Sequence, residues 1–111
     1  RIGKVHFTSI LRSEDFALKY VVDPIIEAAE AMVERAPYAT ATSSLQDALA
    51  DEEVACVVIC SPTAQHRDTI VAAAAAGKHI MCEKPISLEL NEIDECYAIC
   101  KANNVKLFCG Y

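Results

Sequence analysis

The chain has 111 residues, 53% hydrophobic and 23% charged, which is globular composition and enough for one modest domain. Its net charge is −6 and its ten basic residues are scattered, which excludes the basic face that nucleic acid requires. No apolar run approaches the roughly 20 residues of a membrane helix, and no secretory signal is visible.

The elements follow in chain order. Ile2, Val5 and Ile10 recur at roughly helical spacing, so residues 1–11 read as a helix. Residues 16–22 read as a short apolar strand ending at Asp23-Pro24. Ile25, Ile26, Ala29, Met32, Val33 and Ala36 then form one apolar stripe, a helix that stops before Pro37. Residues 38–41 are a short strand. Ser44 with Asp47 resembles a capping box opening a brief helix to Ala50.

The run VACVVIC, residues 54–60, is apolar on both faces and predicts a buried strand. Residues 63–76 form an alanine-rich helix with Thr63 as N-cap and Gly77 as its stop. Residues 79–82 are the next strand. Asn91 offers another N-cap to a helix whose inner face is Ile93, Cys96, Tyr97 and Cys100, and Asn103 or Asn104 ends it in the left-handed conformation. Residues 105–109 are the last strand.

Helix and strand alternate throughout, which means a parallel sheet with helices on both faces, a doubly wound α/β fold of Rossmann type. Such folds begin with a strand, whereas this chain opens on a helix and closes directly after a strand. It therefore reads as a truncated piece, residues 1–111 being a partial dinucleotide-binding domain without its first strand or a C-terminal domain. Losing that strand would leave its two neighbours with unpaired edges.

Six cysteines do not make a disulfide framework here. Cys56 and Cys60 are four apart on one strand, roughly 13 Å, too far to bridge. Cys96 and Cys100 lie one helical turn apart. With no CxxC and no His at ligand spacing, the cysteines read as small buried hydrophobes in a reducing, cytoplasmic compartment, with no metal.

Three loops carry candidate chemistry. Gly3 is placed to be the last glycine of a G-x-G-x-x-G turn, and a carboxylate about 20 residues later holds the adenosine ribose in such folds. Asp23 lies at that distance and also reads as an N-cap, with Pro24 in the first helical position. An acidic residue there accepts from both ribose hydroxyls and repels a 2′-phosphate, which favours NAD over NADP. Ser61-Pro62-Thr63-Ala64-Gln65-His66 follows the 54–60 strand at its carboxyl end, where ligands bind in these sheets. In isolation His66 would be a surface histidine. Glu83-Lys84-Pro85 leaves the next strand at the same end; an isolated EKP is a charged turn, but a lysine here can donate to a substrate hydroxyl and stabilise charge developing on it.

Taken together, GKVH, VVDP, VVICSPTAQH, AAAAAGKHIMCEKPISLEL and VKLFCGY resemble the N-terminal half of the Gfo/Idh/MocA oxidoreductases, and within them the inositol 2-dehydrogenases. The resemblance implies a Rossmann domain, NAD as cofactor, a cyclitol or sugar oxidised at a secondary alcohol, and a homo-oligomer as the full-length protein. Carried over by position, it places Arg1 and Ile2 at the pyrophosphate and Asp23 at the ribose. It lines the dinucleotide with Ser61, Pro62, Thr63 and His66, and sets Glu83, Lys84 and Pro85 near the nicotinamide, with Lys84 catalytic at the reacting hydroxyl. The family's remaining catalytic groups belong to a C-terminal domain, so the 111 residues alone are expected to turn over no substrate. A truncated nucleotide- or partner-binding module, or a relative acting on another sugar, are the alternatives.

Overall fold

Residues 2–110 are described by a computed structural model. In chain order the elements are α1 (Ile2–Arg12), β1 (Tyr20–Val22), α2 (Ile26–Val33), β2 (Thr40–Thr42), α3 (Leu45–Leu49) and β3 (Cys56–Ile59). A 3₁₀ turn (Thr63–Gln65) then leads into α4 (His66–Ala75), followed by β4 (His79–Glu83), α5 (Leu90–Ala102) and β5 (Leu107–Gly110). The expected alternation is present, and every strand pairing is parallel. The chain divides into two compact units, Arg1–Val54 and Ala55–Tyr111.

The first unit pairs β1 with β2 and packs α2 against both. Ala29 is fully buried on α2, and Phe7 of α1 is buried with the Arg35 guanidinium 5.8 Å from its ring centre. Both strands are shorter or later than expected. Residues 16–19 lack the ladder that defines β1, and Phe16 is exposed. Pro37 and Tyr38 sit in a turn closed by the Ala39 N–H donating to Ala36, which leaves Tyr38 exposed and delays β2 to Thr40.

A charged network ties the start of β1 to the loop after α3. Asp51 Oδ2 accepts from Lys19 Nζ at 2.9 Å and from the Tyr20 hydroxyl at 2.8 Å, its Oδ1 accepts from the Glu53 N–H, and Lys19 also pairs with Glu53. The Lys19 ammonium foremost, then the Glu53 N–H and Tyr20, hold the Asp51 carboxyl down at about 2 from an ordinary 3.8. A depressed carboxylate contributes stability above its unfolded value and loses it as pH falls through the folded one. The stability gap between the wild type and Asp51→Asn should therefore be full at pH 5 and close between about pH 4 and 2, as followed by urea melts at each pH. A gap independent of pH would remove the network from the acid stability of this unit.

The second unit is a three-stranded sheet in the order β3-β4-β5. Ile80 and Cys82 alternate inward on the central strand, and Ile70, Ala73 and Ala74 of α4 and Cys96 and Cys100 of α5 are buried with them. Helix α4 packs on β4 and α5, and Arg67 on α4 pairs with Glu95 on α5. The expectation of a β3 buried on both faces is corrected: only Ile59 is buried, while Cys56 is exposed and Cys60 half-buried. Among the described strands β3 pairs with β4. All six cysteines are free, and three of them, Cys82, Cys96 and Cys100, are the small buried hydrophobes expected.

Helix ends show how local chemistry sets the frame. Gly77, at φ +77°, and Asn104, at φ 58°, each close a helix with paired backbone bonds: Lys78 N–H to Ala73 with Gly77 N–H to Ala74, and Val105 N–H to Cys100 with Asn104 N–H to Lys101. Of the two asparagines considered, Asn104 takes the left-handed conformation. Helix starts agree with expectation in part. Thr63 and Asn91 are not N-caps: α4 is preceded by Gln65 and α5 by Glu89. Ser44 is the N-cap of α3 as expected but makes no side-chain cap. Instead the buried Thr42 hydroxyl accepts from the Ser44 N–H and donates to Asp47, and the buried Ser87 hydroxyl accepts from Glu89 N–H and donates to Glu92. In both, a hydroxyl three residues before the helix does the work an N-cap would do.

Candidate cofactor and active site

In a parallel sheet all carboxyl ends face one way, and the loops there form the ligand edge. Register sets Ile59 opposite Cys82 and Cys82 opposite Cys109. Ser61 and Lys84 thus each lie two residues beyond the same paired rung, on adjacent strands. The spacing of SPTAQH and EKP after their strands is what brings these two loops to one level.

The first loop turns sharply. Pro62, extended at φ −57° and ψ 146°, precedes the 3₁₀ turn, and the Gln65 N–H donates back to the Pro62 carbonyl. Thr63 opens that turn, so α4 begins at His66 and not at Thr63. Ser61 Oγ is buried with no hydrogen-bond partner among the described residues. His66 departs from the surface histidine that an isolated reading predicts: it is 1% exposed. Its Nδ1 is 2.8 Å from the Pro85 carbonyl oxygen and its Nε2 is 2.8 Å from that of Ser61.

The second loop leaves β4 at Glu83. Lys84 is exposed, its N–H donates to Glu83 Oε2 at 3.2 Å, and the Lys84–Pro85 peptide is cis. Ile86 and Ser87 are buried just beyond and pin the far side of the loop. Gly110 lies opposite Glu83 in the ladder, and a Cβ there would come within 3.2 Å of both Glu83 Oε1 and the Met81 methyl. The missing side chain makes room for the Glu83 carboxylate. Gly110→Val should push that carboxylate aside, shift the Lys84 amide resonance and destabilise the unit by about 1–3 kcal/mol. An unmoved Lys84 resonance would show that Gly110 does not set the position of Glu83.

Burial raises two of the thiols at this end. Burial pushes the Cys82 thiol up to about 12, and burial and then Glu83 push Cys60 upward. Among the described residues no three His, Cys, Asp or Glu side chains gather as a metal site requires.

Asp23 ends β1 in the first unit. Its N–H donates to Thr42 at 3.1 Å and its Oδ1 accepts from the Ile25 N–H at 2.9 Å. The carboxylate therefore closes a turn ahead of α2, which starts at Ile26, so Pro24 is not the first helical residue as expected. Ile2 opens α1 and is partly exposed; Arg1 lies outside the described residues. Sequence reasoning missed the two ring contacts of His66 and the close approach at Gly110. The pairing of Glu83 with Gly110 becomes visible only once strand register is known.

Residues 1–111 match the family described as "Oxidoreductase family, NAD-binding Rossmann fold". The chain belongs to the Gfo/Idh/MocA oxidoreductase family. An inositol 2-dehydrogenase of Rhizobium meliloti is 38% identical over all 111 residues, which span 33% of that protein. The crystal structure of a putative myo-inositol dehydrogenase from Sinorhizobium meliloti superposes with a TM-score of 0.91 at 36% identity, covering 98% of this chain and 32% of that one. GenD2 from gentamicin A biosynthesis, solved in complex with NAD, superposes with a TM-score of 0.95 at 29% identity, covering 99% and 31%. The chain spans about a third of the length of the curated Gfo/Idh/MocA relatives it matches over its full length. Its fold is the NAD-binding Rossmann-type α/β fold of that family. On the ligand-edge loop after β3, the buried Ser61 hydroxyl has no partner among the described residues, a group that suits a dinucleotide ligand.

Proposed function

We propose that these residues are the partial dinucleotide-binding domain of a dehydrogenase. It oxidises a secondary alcohol of a cyclitol or sugar, with myo-inositol the leading substrate. The observation that carries this reading is the exposed Lys84 at the carboxyl end of β4, level with the Ser61 loop of the neighbouring strand. Bound NAD supplies the hydride acceptor. Asp23 accepts from the adenosine ribose and disfavours a 2′-phosphate; Ile2 serves the pyrophosphate; Ser61, Pro62 and Thr63 line the dinucleotide. Glu83 and Pro85 flank Lys84, whose ammonium donates to the reacting hydroxyl oxygen and stabilises negative charge as its proton leaves. The full-length enzyme completes the site with the groups that bind the rest of the substrate. Six free thiols fit a reducing, cytoplasmic setting.

The likeness to the WlbA dehydrogenase of Bordetella pertussis, solved with NADH and UDP-GlcNAcA and superposing with a TM-score of 0.89 at 31% identity, covering 99% of this chain and 32% of that one, favours, as a second reading, a substrate sugar other than inositol. A panel of inositol isomers, aldoses and sugar acids, each assayed with the whole enzyme for NADH absorbance, separates the two. Turnover fastest with myo-inositol supports the first reading, and a preference for another sugar supports the second. No NADH from any polyol or sugar would overturn both.

A further inference from the structure

Carbonyl oxygens only accept hydrogen bonds, so each contact of His66 requires a ring N–H. One neutral tautomer ties Ser61, the other ties Pro85, and the doubly protonated ring ties both. Ser61 is five residues away along the chain, a local contact of the kind a helix start often makes. Pro85 is nineteen residues away, beyond an entire helix and strand. A buried histidine pairs its ring nitrogens with the acceptors it finds, and here both acceptors, each at 2.8 Å, are carbonyls of two separate ligand-edge loops, so the ring sits between them. With the ring 1% exposed, a dinucleotide lying on the surface of the loop does not reach these nitrogens.

We infer that His66 is a positioning residue that joins the dinucleotide loop to the Lys84 loop, holding Lys84 in register with the bound nicotinamide without touching the cofactor. The inference rests on the proposed function for the roles of the two loops. It revises the role that the resemblance gives His66, from cofactor lining to a link behind it. Hydride transfer depends on such registration far more steeply than binding does, since a misplacement of about 1 Å can lower a rate about a hundredfold.

The test has two arms. In ¹³C,¹⁵N-labelled wild-type protein, the His66 ring N–H should exchange slowly with solvent and show scalar coupling across the hydrogen bond to the Pro85 carbonyl carbon. Coupling to Ser61 alone, or to neither carbonyl, overturns the link. In the whole enzyme, His66→Gln should keep NADH affinity within about fivefold. Its single-turnover hydride-transfer rate should fall tenfold or more. Parallel losses in affinity and rate would make His66 a cofactor contact and sink the inference, as would an unchanged rate. Should His66→Gln not fold, the coupling measurement on wild-type protein decides. Failure of the wild type to bind NADH would instead overturn the proposed function, while the Pro85 coupling, read without cofactor, stands or falls separately.

Discussion

Replacing Lys84 with alanine is expected to lower turnover of the whole enzyme by about a hundredfold or more. NADH affinity should stay within about fivefold. The split follows from where the side chain is. Lys84 is exposed beyond the end of β4, and what holds its loop is backbone and neighbours: the Lys84 N–H on Glu83, the Pro85 carbonyl against His66, and buried Ile86 and Ser87. Truncating the side chain removes none of these, so the loop keeps its course and the dinucleotide its surface. What disappears is the ammonium to which the proposed function assigns stabilisation of charge on the reacting oxygen, an interaction strongest in the transition state and therefore read in kcat. Lys84→Arg should not rescue, because a planar guanidinium on a longer stem does not reproduce a compact ammonium at one oxygen. Stopped-flow NADH formation together with a fluorescence titration of NADH measures both quantities. Unchanged turnover would reduce Lys84 to a turn residue, and equal losses in both would make it a binding group.

Much of this arrangement was legible in the residues, and the parts that were not share a cause. Period-2 and period-3.6 patterns respond to burial, so the alternation of helix and strand, the inward Ile80 and Cys82, and the stops at Gly77 and Asn104 could all be read locally. The two loops of the site were legible because each follows directly on a strand. The start of α3 after Ser44 was read correctly and that of α5 was placed two residues late, and in both the hydroxyl that serves the helix start, Thr42 or Ser87, lies three residues upstream of the helix and was not seen. Both are followed five residues later by an acid, a spacing that would have found them. Cys56 and Cys60 were read as buried because periodicity reports apolar character, not whether a neighbouring element covers the residue. His66 shows the same limit most clearly. Its burial depends on Pro85, and no local pattern around position 66 contains that contact.

Asp23→Asn should reduce NADH affinity by about tenfold or more and raise affinity for NADPH, so that the preference between them collapses. The choice of asparagine matters. Asp23 has a structural task, since its Oδ1 accepts from the Ile25 N–H and its own N–H extends the β1–β2 pairing to Thr42. An amide oxygen can take over the first task and the backbone retains the second, so the turn into α2 survives and any change in binding belongs to the charge. A carboxylate accepting from two ribose hydroxyls makes charge-assisted bonds of about 1.5–3 kcal/mol each, and neutralising it weakens both. The same charge faces the 2′-phosphate of NADPH with repulsion that water and salt only partly screen. Removing it acts in opposite directions on the two nucleotides, a signature that simple damage to the fold cannot produce. Calorimetric titration of NADH and NADPH against wild type and variant gives the ratio directly. A ratio that does not change, with both affinities intact or both reduced alike, would take Asp23 away from the ribose and leave it as the residue that closes the turn.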